Sequence, residues 1–272
     1  MMRVESNARV VVVIGAGDLG SRVARLRAAR GEQVFALRRR LPDAAPGDAV
    51  HWLAVDLASG AGLNAMPKTP DAVVVAVAPD ERSEAAYRAL YVDGVGRALA
   101  RFTALPRLIF VSSTAVYGED AGQWIDEDTV PSPPAFNGRV LLEAEANAAQ
   151  YASQACALRL SGLYGPGRDF LRRSALQASA GRRHWSNRIH VADAAAAVSL
   201  LLDVPAPPAQ VLGTDDAPAW QWQVMNFLRA QTDQPPLPEP DGPETGRRIA
   251  NARLRSLGWV PQYPSYREGY AR

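Results

Sequence analysis

The strongest constraint on this chain is a single junction near its start. After Arg9 the run Val10–Ile14 is wholly apolar, and it passes directly into Gly15-Ala16-Gly17-Asp18-Leu19-Gly20. Leu19–Arg30 then reads as a helix, with Gly31 as its stop signal. A strand without polar alternation is one covered on both faces, the condition of a parallel sheet flanked by helices. Between such a strand and a helix, each glycine of GxGxxG has a separate task. Gly15 permits the tight turn, Gly17 lets the backbone approach a diphosphate, and Gly20 lets helix and strand pack closely. Amides at the helix N-terminus then face the anion, aided by the positive end of the helix dipole. A glycine-rich turn without a ligand is the duller alternative.

The rest of the chain extends this pattern. Further strands are expected at Gln33–Leu37, Val50–Val55, Asp71–Val77, Arg107–Ser112 and Ala155–Leu160, with helices over Glu81–Ala104 and Arg139–Ala152. Repeated strand–helix–strand units imply a parallel sheet with right-handed crossovers. The fold class is therefore α/β, a doubly wound parallel sheet of Rossmann type. After Leu160 glycine, proline and arginine become dense, with loops at Gly162–Arg168 and Pro205–Pro208. Helices are expected at Val191–Leu202 and Ala219–Ala230, an exposed loop at Thr232–Gly246, and a short helix within Arg248–Trp259. The expected division is a dinucleotide-binding domain over 1–160 and a small substrate-binding cap over 161–272, partly interleaved with the sheet.

Composition removes several classes. A formal charge of +2 without a long basic run gives no footprint for nucleic acid. Cys156 is the one cysteine, so no internal disulfide forms, and its apolar surroundings suit a buried thiol. The histidines His51, His184 and His190 are widely spaced, so no metal site is expected. No signal-peptide layout and no membrane-length apolar stretch is present, so a cytoplasmic protein is expected.

The second strand selects the cofactor. Sites for NAD place a carboxylate at its end to hold the ribose hydroxyls, but here it ends Ala36-Leu37-Arg38-Arg39-Arg40. Arg38 and Arg39 either suit a 2′-phosphate or form a solvated basic turn; with the acid missing, NADP(H) is expected. Asp56, followed by Leu57, either accepts a hydrogen bond from the adenine amino group or caps its own turn.

Phe110–Gly118 reads FVSSTAVYG, and Leu158-Arg159, Leu163-Tyr164-Gly165-Pro166-Gly167, Arg188-Ile189-His190-Val191-Ala192-Asp193-Ala194 and Leu257-Gly258-Trp259 follow in order. Together these segments resemble the extended short-chain dehydrogenase/reductases, the nucleotide-sugar epimerase and dehydratase family. Ile14 stands where the family's usual GxxGxxG has its first glycine. The resemblance implies a catalytic Ser or Thr, a Tyr acting as acid/base, and a Lys four residues on that lowers the Tyr pKa. The Ser falls on Ser113, but the Tyr falls on Asn137 and the Lys on Leu141. The only lysine, Lys68, precedes the fifth strand, so no shift of alignment restores the pair. The chain thus resembles the family's atypical branch.

Within that resemblance, Ser113 would polarise the reacting oxygen at the mouth of the crevice. Tyr117 either supplies a replacement acid or packs under its loop. Arg139 either offers positive charge near the cofactor ribose or lies exposed on the first turn of its helix. Ala76, Val77 and Ala78 follow the fourth strand and would line the nicotinamide side, while Tyr164–Gly167 resembles the loop that closes over it. Arg182, Arg183 and Arg188, with Trp185, would form a basic and aromatic cluster for a nucleotide-sugar diphosphate and base, or a polar loop surface. Glu143 and Glu145 read as solvated helix positions, and His190 and Asp193 as packing and capping residues. The expected function is an NADP(H)-dependent oxidoreductase or epimerase-like enzyme acting on a small, sugar-like or anionic substrate. A non-catalytic NADP(H)-binding sensor or scaffold is the alternative. The resemblance also suggests a homodimer through the helices at Glu81–Ala104 and Arg139–Ala152.

Overall fold

The computed structural model describes residues 8–43 and 46–271. Seven strands form one parallel sheet: β1 (Val10–Ile14), β2 (Gln33–Arg38), β3 (Val50–Ala54), β4 (Ala72–Val75), β5 (Arg107–Ser113), β6 (Gln154–Leu160) and β7 (Gln210–Gly213). Their order is β7-β6-β5-β4-β1-β2-β3. Chain direction across the sheet therefore reverses beside β1, and the crevice at the C-terminal ends of β1 and β4 is where such folds take ligands. Register is firm there: Val10 pairs with Gln33 through to Ile14 with Leu37, and Val11 pairs with Ala72 through to Ile14 with Val75. Val11, Val12, Val13 and Ile14 are all fully buried, as an apolar central strand requires.

Two apolar layers cover the sheet. On one face the helices Asp18–Ala28 and Val191–Leu201 pack together with Leu254 and Trp259. On the other, helical segments from Glu84 to Leu99 and the helix Phe136–Ala149 enclose Val12, Ile14, Val75, Phe110 and Leu141. A smaller third cluster joins Tyr164, Ala175, Val224, Leu228, Tyr266 and Tyr270 beyond the end of the sheet.

Several elements differ from the sequence reading. The helix expected over Glu81–Ala104 starts at Glu84, because the Ser83 hydroxyl accepts a hydrogen bond from Ala86 N at 3.2 Å and caps it. Its middle, Arg88–Gly94, is π-helical, and it ends at Leu99. The loop read at Gly162–Arg168 begins instead with a short strand, Gly162–Tyr164, paired with Arg188–His190. The expected helix within Arg248–Trp259 shrinks to Ala252–Ser256, because Arg248–Ile249 pairs with Trp124–Ile125. β7 has no counterpart in the sequence reading, yet it carries the sheet edge from within the segment assigned to the cap. No helix among the described residues is long and apolar enough to cross a membrane.

Candidate active site at the carboxyl edge of the sheet

The phosphate turn is fixed by its neighbours. Gly15 N and Ala16 N both donate to Leu37 O, at 3.2 and 2.7 Å, tying the turn to the end of β2. Gly15 has φ +88°, and a Cβ there would lie 2.8 Å from the Ala76 backbone, so glycine is needed on both counts. A Cβ on Gly20 would meet Gly15 O at 2.3 Å, which explains the close helix–strand approach. Gly17 is different: a Cβ there would meet nothing within 4 Å. No neighbouring atom among the described residues crowds Gly17, so packing does not account for a glycine there, whereas a diphosphate resting on such a turn would. These residues fit a dinucleotide.

Asp18 opens the helix, but its carboxylate is already engaged. Arg22 Nε donates to Oδ1 and Arg168 Nε to Oδ2, each at 2.8 Å. Partial burial disfavours the ionised carboxyl, yet the two arginines outweigh it and hold Asp18 below the usual carboxylate range. Leu19 beside it is buried against the sheet, so only its backbone remains available at the turn.

At the end of β2 the two arginines part. Arg39 is exposed and forms a bidentate pair with Asp80 at 2.6 and 2.7 Å, spanning from β2 to the loop after β4. Arg38 is half-buried and has no ion-pair partner among the described residues. Asp56 takes the turn-capping role: Ser59 Oγ donates to it at 2.9 Å and Ala58 N at 3.0 Å, which lowers its pKa. Leu57 is buried in the core. Ala76 N donates to Ile14 O at 2.8 Å, and Tyr91 OH donates to Val77 O at 3.0 Å, so the Ala76–Ala78 segment is held beside the turn.

The Ser113 region forms the opposite wall. Ser113 ends β5 half-buried, and its Oγ accepts from Ala115 N at 3.2 Å to cap the turn Thr114–Val116. Its hydroxyl proton is left to donate elsewhere. A Cβ on Gly138 would meet Ala115 O at 2.4 Å, so glycine lets the helix Phe136–Ala149 press onto this turn. Asn137 and Arg139 are thereby brought beside the end of β5, Arg139 exposed. Leu141, one turn on, is buried in the core.

Tyr117 is corrected as a candidate acid. It is fully buried, and its hydroxyl accepts from Arg159 Nη1 at 2.8 Å. Tyr117 packs in the core under its loop, and burial raises its pKa, only partly opposed by Arg159. The reading of Glu145 as solvated is corrected with it. Glu145 receives Arg159 Nη2 at 2.7 Å, and Ser112 Oγ also donates to it; the two charged side chains are 9% and 5% exposed. Glu143 does lie at the surface, paired with Arg88 at 2.7 Å.

The expected cluster in the cap divides as well. Arg183 lies over the Trp220 ring at 5.6 Å, and Trp220 stacks on Trp185 at 4.0 Å. Arg188 is buried apart from them, its guanidinium 5.5 Å from the Tyr266 ring. His190 caps the following helix, accepting from Ala192 N at 3.3 Å. Asp193 receives Gln262 N and Tyr263 N at 2.7 and 2.9 Å, pinning the C-terminal segment. Gly138, the Arg159–Glu145 pair and the Asp18–Arg168 bridge were missed by the sequence reading. A glycine three residues into a helix was the one signal available for the first.

Comparison with known proteins agrees with this architecture. A family model described as NAD dependent epimerase/dehydratase family matches residues 11–211. Protein YeeZ of Escherichia coli strain K12 is 39% identical over 102 residues, a stretch that spans 37% of each chain. The 3-diazoavenalumate denitrifying reductase of a Streptomyces species is 29% identical over 306 residues, covering 97% of this chain and 99% of its own. A solved structure from Methylobacillus flagellatus, described as an NAD-dependent epimerase/dehydratase, superposes with a TM-score of 0.80 at 31% identity and 97% coverage of both chains. MoeE5 in complex with UDP-glucuronic acid and NAD shares the fold, with a TM-score of 0.80 at 23% identity and 96% coverage of both chains. With its model matched over most of the length, on a sheet whose switch point carries the glycine turn, the chain belongs to the NAD dependent epimerase/dehydratase family.

Proposed function

We propose that this chain is an NADP(H)-dependent oxidoreductase with a non-standard active site, acting on a small, polar, sugar-like or anionic substrate. Gly17 carries the reading: it is a glycine the protein does not need for its own packing, at the place where a dinucleotide diphosphate meets the backbone. When bound, the nicotinamide supplies or accepts the hydride. Gly15, Gly17 and Gly20 shape the turn, and the amides at Asp18 and Leu19 face the diphosphate. Arg38, at the end of β2 and without an ion-pair partner among the described residues, holds the 2′-phosphate, while the Arg39–Asp80 pair spans the adenosine side. Ala76, Val77 and Ala78 wall the nicotinamide side. Ser113 Oγ donates its proton toward the reacting substrate atom.

Asn137 and Leu141 at the Tyr and Lys positions narrow the chemistry. A reaction that builds an alkoxide needs a positioned acid, and this wall offers only a serine hydroxyl and the exposed Arg139 cation. Hydride delivery to a cationic electrophile, such as a diazonium group, gives a neutral product, builds no alkoxide and needs no such pair. The end-to-end likeness to a reductase of a diazo compound supports that side of the reading. A non-catalytic NADP(H) sensor is the second reading, favoured by the same two positions.

The test is titration of the protein with NADPH and NADH, for wild type and Arg38→Ala. NADPH is expected to bind at least about tenfold more tightly, the worth of one charge-assisted contact, with most of that preference lost in the variant. Equal affinities in the wild type would remove the NADP assignment. Turnover of diazo, carbonyl or sugar-like substrates with NADPH, abolished or strongly reduced in Ser113→Ala, would favour the enzyme. A tight cofactor complex without turnover would favour the sensor.

A further inference from the structure

We propose that Arg168 is a ligand of the cofactor diphosphate, carried to the phosphate turn by Asp18; this rests on the dinucleotide reading above. A carboxylate at the first residue of this helix suits the helix dipole but repels a diphosphate placed on the same amides. The structure compensates it twice. Arg22 lies one turn along the same helix, an ordinary i,i+4 pair. Arg168 arrives from 150 residues away, from the segment that follows β6, and turns the local sum of the three groups to +1.

The Arg168 backbone is set before the side chain reaches out. Arg168 N donates to Gly165 O at 3.0 Å, closing a turn. Gly165 has φ +128°, and a Cβ there would meet His190 Nε2 at 2.7 Å, so the turn is seated on His190 and the strand that carries it. The side chain is 32% exposed, spends Nε on Asp18, and makes no other hydrogen bond among the described residues. Its two terminal nitrogens keep their donors, in the planar fork that matches phosphate oxygens. Gly17, next to Asp18, leaves open the space through which the anion approaches. Cofactor affinity therefore depends on a residue from the second half of the chain, and bound diphosphate would tie that half to the turn.

The experiment compares NADPH and NADH affinities for wild type, Arg168→Ala, Arg168→Lys and Arg38→Ala, with thermal melting to verify folding. A diphosphate is common to both nucleotides, so Arg168→Ala is expected to weaken both by the same factor, about tenfold. Arg168→Lys, which keeps the charge without the fork, falls between, and the loss in both shrinks as salt rises. Arg38→Ala should weaken NADPH alone. Unchanged affinity for both nucleotides in Arg168→Ala overturns the inference while leaving the cofactor reading intact. A loss confined to NADPH also overturns it, since that would place Arg168 at the 2′-phosphate. Wild-type protein that binds neither nucleotide overturns the cofactor reading and this inference together.

Discussion

Substituting Gly15 and Gly17, two residues apart, is expected to separate folding from dinucleotide binding. Gly15→Ala puts a side chain at φ +88°, which costs about 1–2 kcal/mol for an L-residue. The new Cβ also sits 2.7 Å from Val77 Cγ1 and 2.8 Å from the Ala76 carbonyl, which must move, adding about 1–3 kcal/mol of overpacking. A total loss of about 2–5 kcal/mol corresponds to a fall in melting temperature of roughly 4–20 °C for a chain of this size. Gly17→Ala meets nothing within 4 Å and keeps a negative φ of −73°. Its cost is that of alanine in place of glycine at a helix N-cap, about 1 kcal/mol or less. If the space beside Gly17 belongs to a diphosphate, the same methyl group fills it, and affinity for NADPH and NADH should fall at least about tenfold. Urea unfolding gives the first pair of numbers and fluorescence titration the second. Wild-type affinity for both nucleotides in Gly17→Ala would refute the assignment of that space to a diphosphate, and unfolding as ready as that of Gly15→Ala would refute its steric freedom.

Further outcomes follow from groups outside the turn. Glu145→Ala strands the Arg159 guanidinium in the interior with only the Tyr117 hydroxyl as partner among the described residues, and should cost about 3–5 kcal/mol in urea unfolding. A cost below about 1 kcal/mol, the range of surface pairs, would refute the buried network. Asp215 is 1% exposed, and burial pushes its carboxyl up to about 7 despite Arg188. Below about pH 4 this carboxyl is protonated in folded and unfolded chains alike. As pH rises toward 7 only the unfolded chain gives up the proton, so stability drains by at most about 1.4 kcal/mol per pH unit until the folded group titrates too. Asp215→Asn removes that drain, so its melting temperature should gain on the wild type between pH 4 and 7; a constant gap across that window would contradict the raised pKa.

The sequence by itself determined the parts governed by near neighbours. An unbroken apolar strand, a GxGxxG turn and a helix adjoin within twenty residues, so sheet, turn and crevice follow from local pattern alone. The end of β2 was legible for the same reason, since Arg38 closes the strand and Arg39 directly follows it. Tertiary structure decided whatever depends on partners far along the chain. Tyr117 looks the same in sequence whether it faces the crevice or the core, and only Arg159, 42 residues away, turns it inward. Glu145 sits in a helix that reads as solvated until β6 brings Arg159 beneath it. β7, only four residues long and too short to show a periodicity, follows a proline-rich loop and becomes a strand because β6 offers an unpaired edge. Asp18 reads in sequence as a cofactor-binding residue of the phosphate turn, but only the fold gives it Arg168 from 150 positions away. Local propensity and spacing act over a few residues, whereas burial and ion pairing are settled only when distant segments meet, and the second half of this site is built from such meetings.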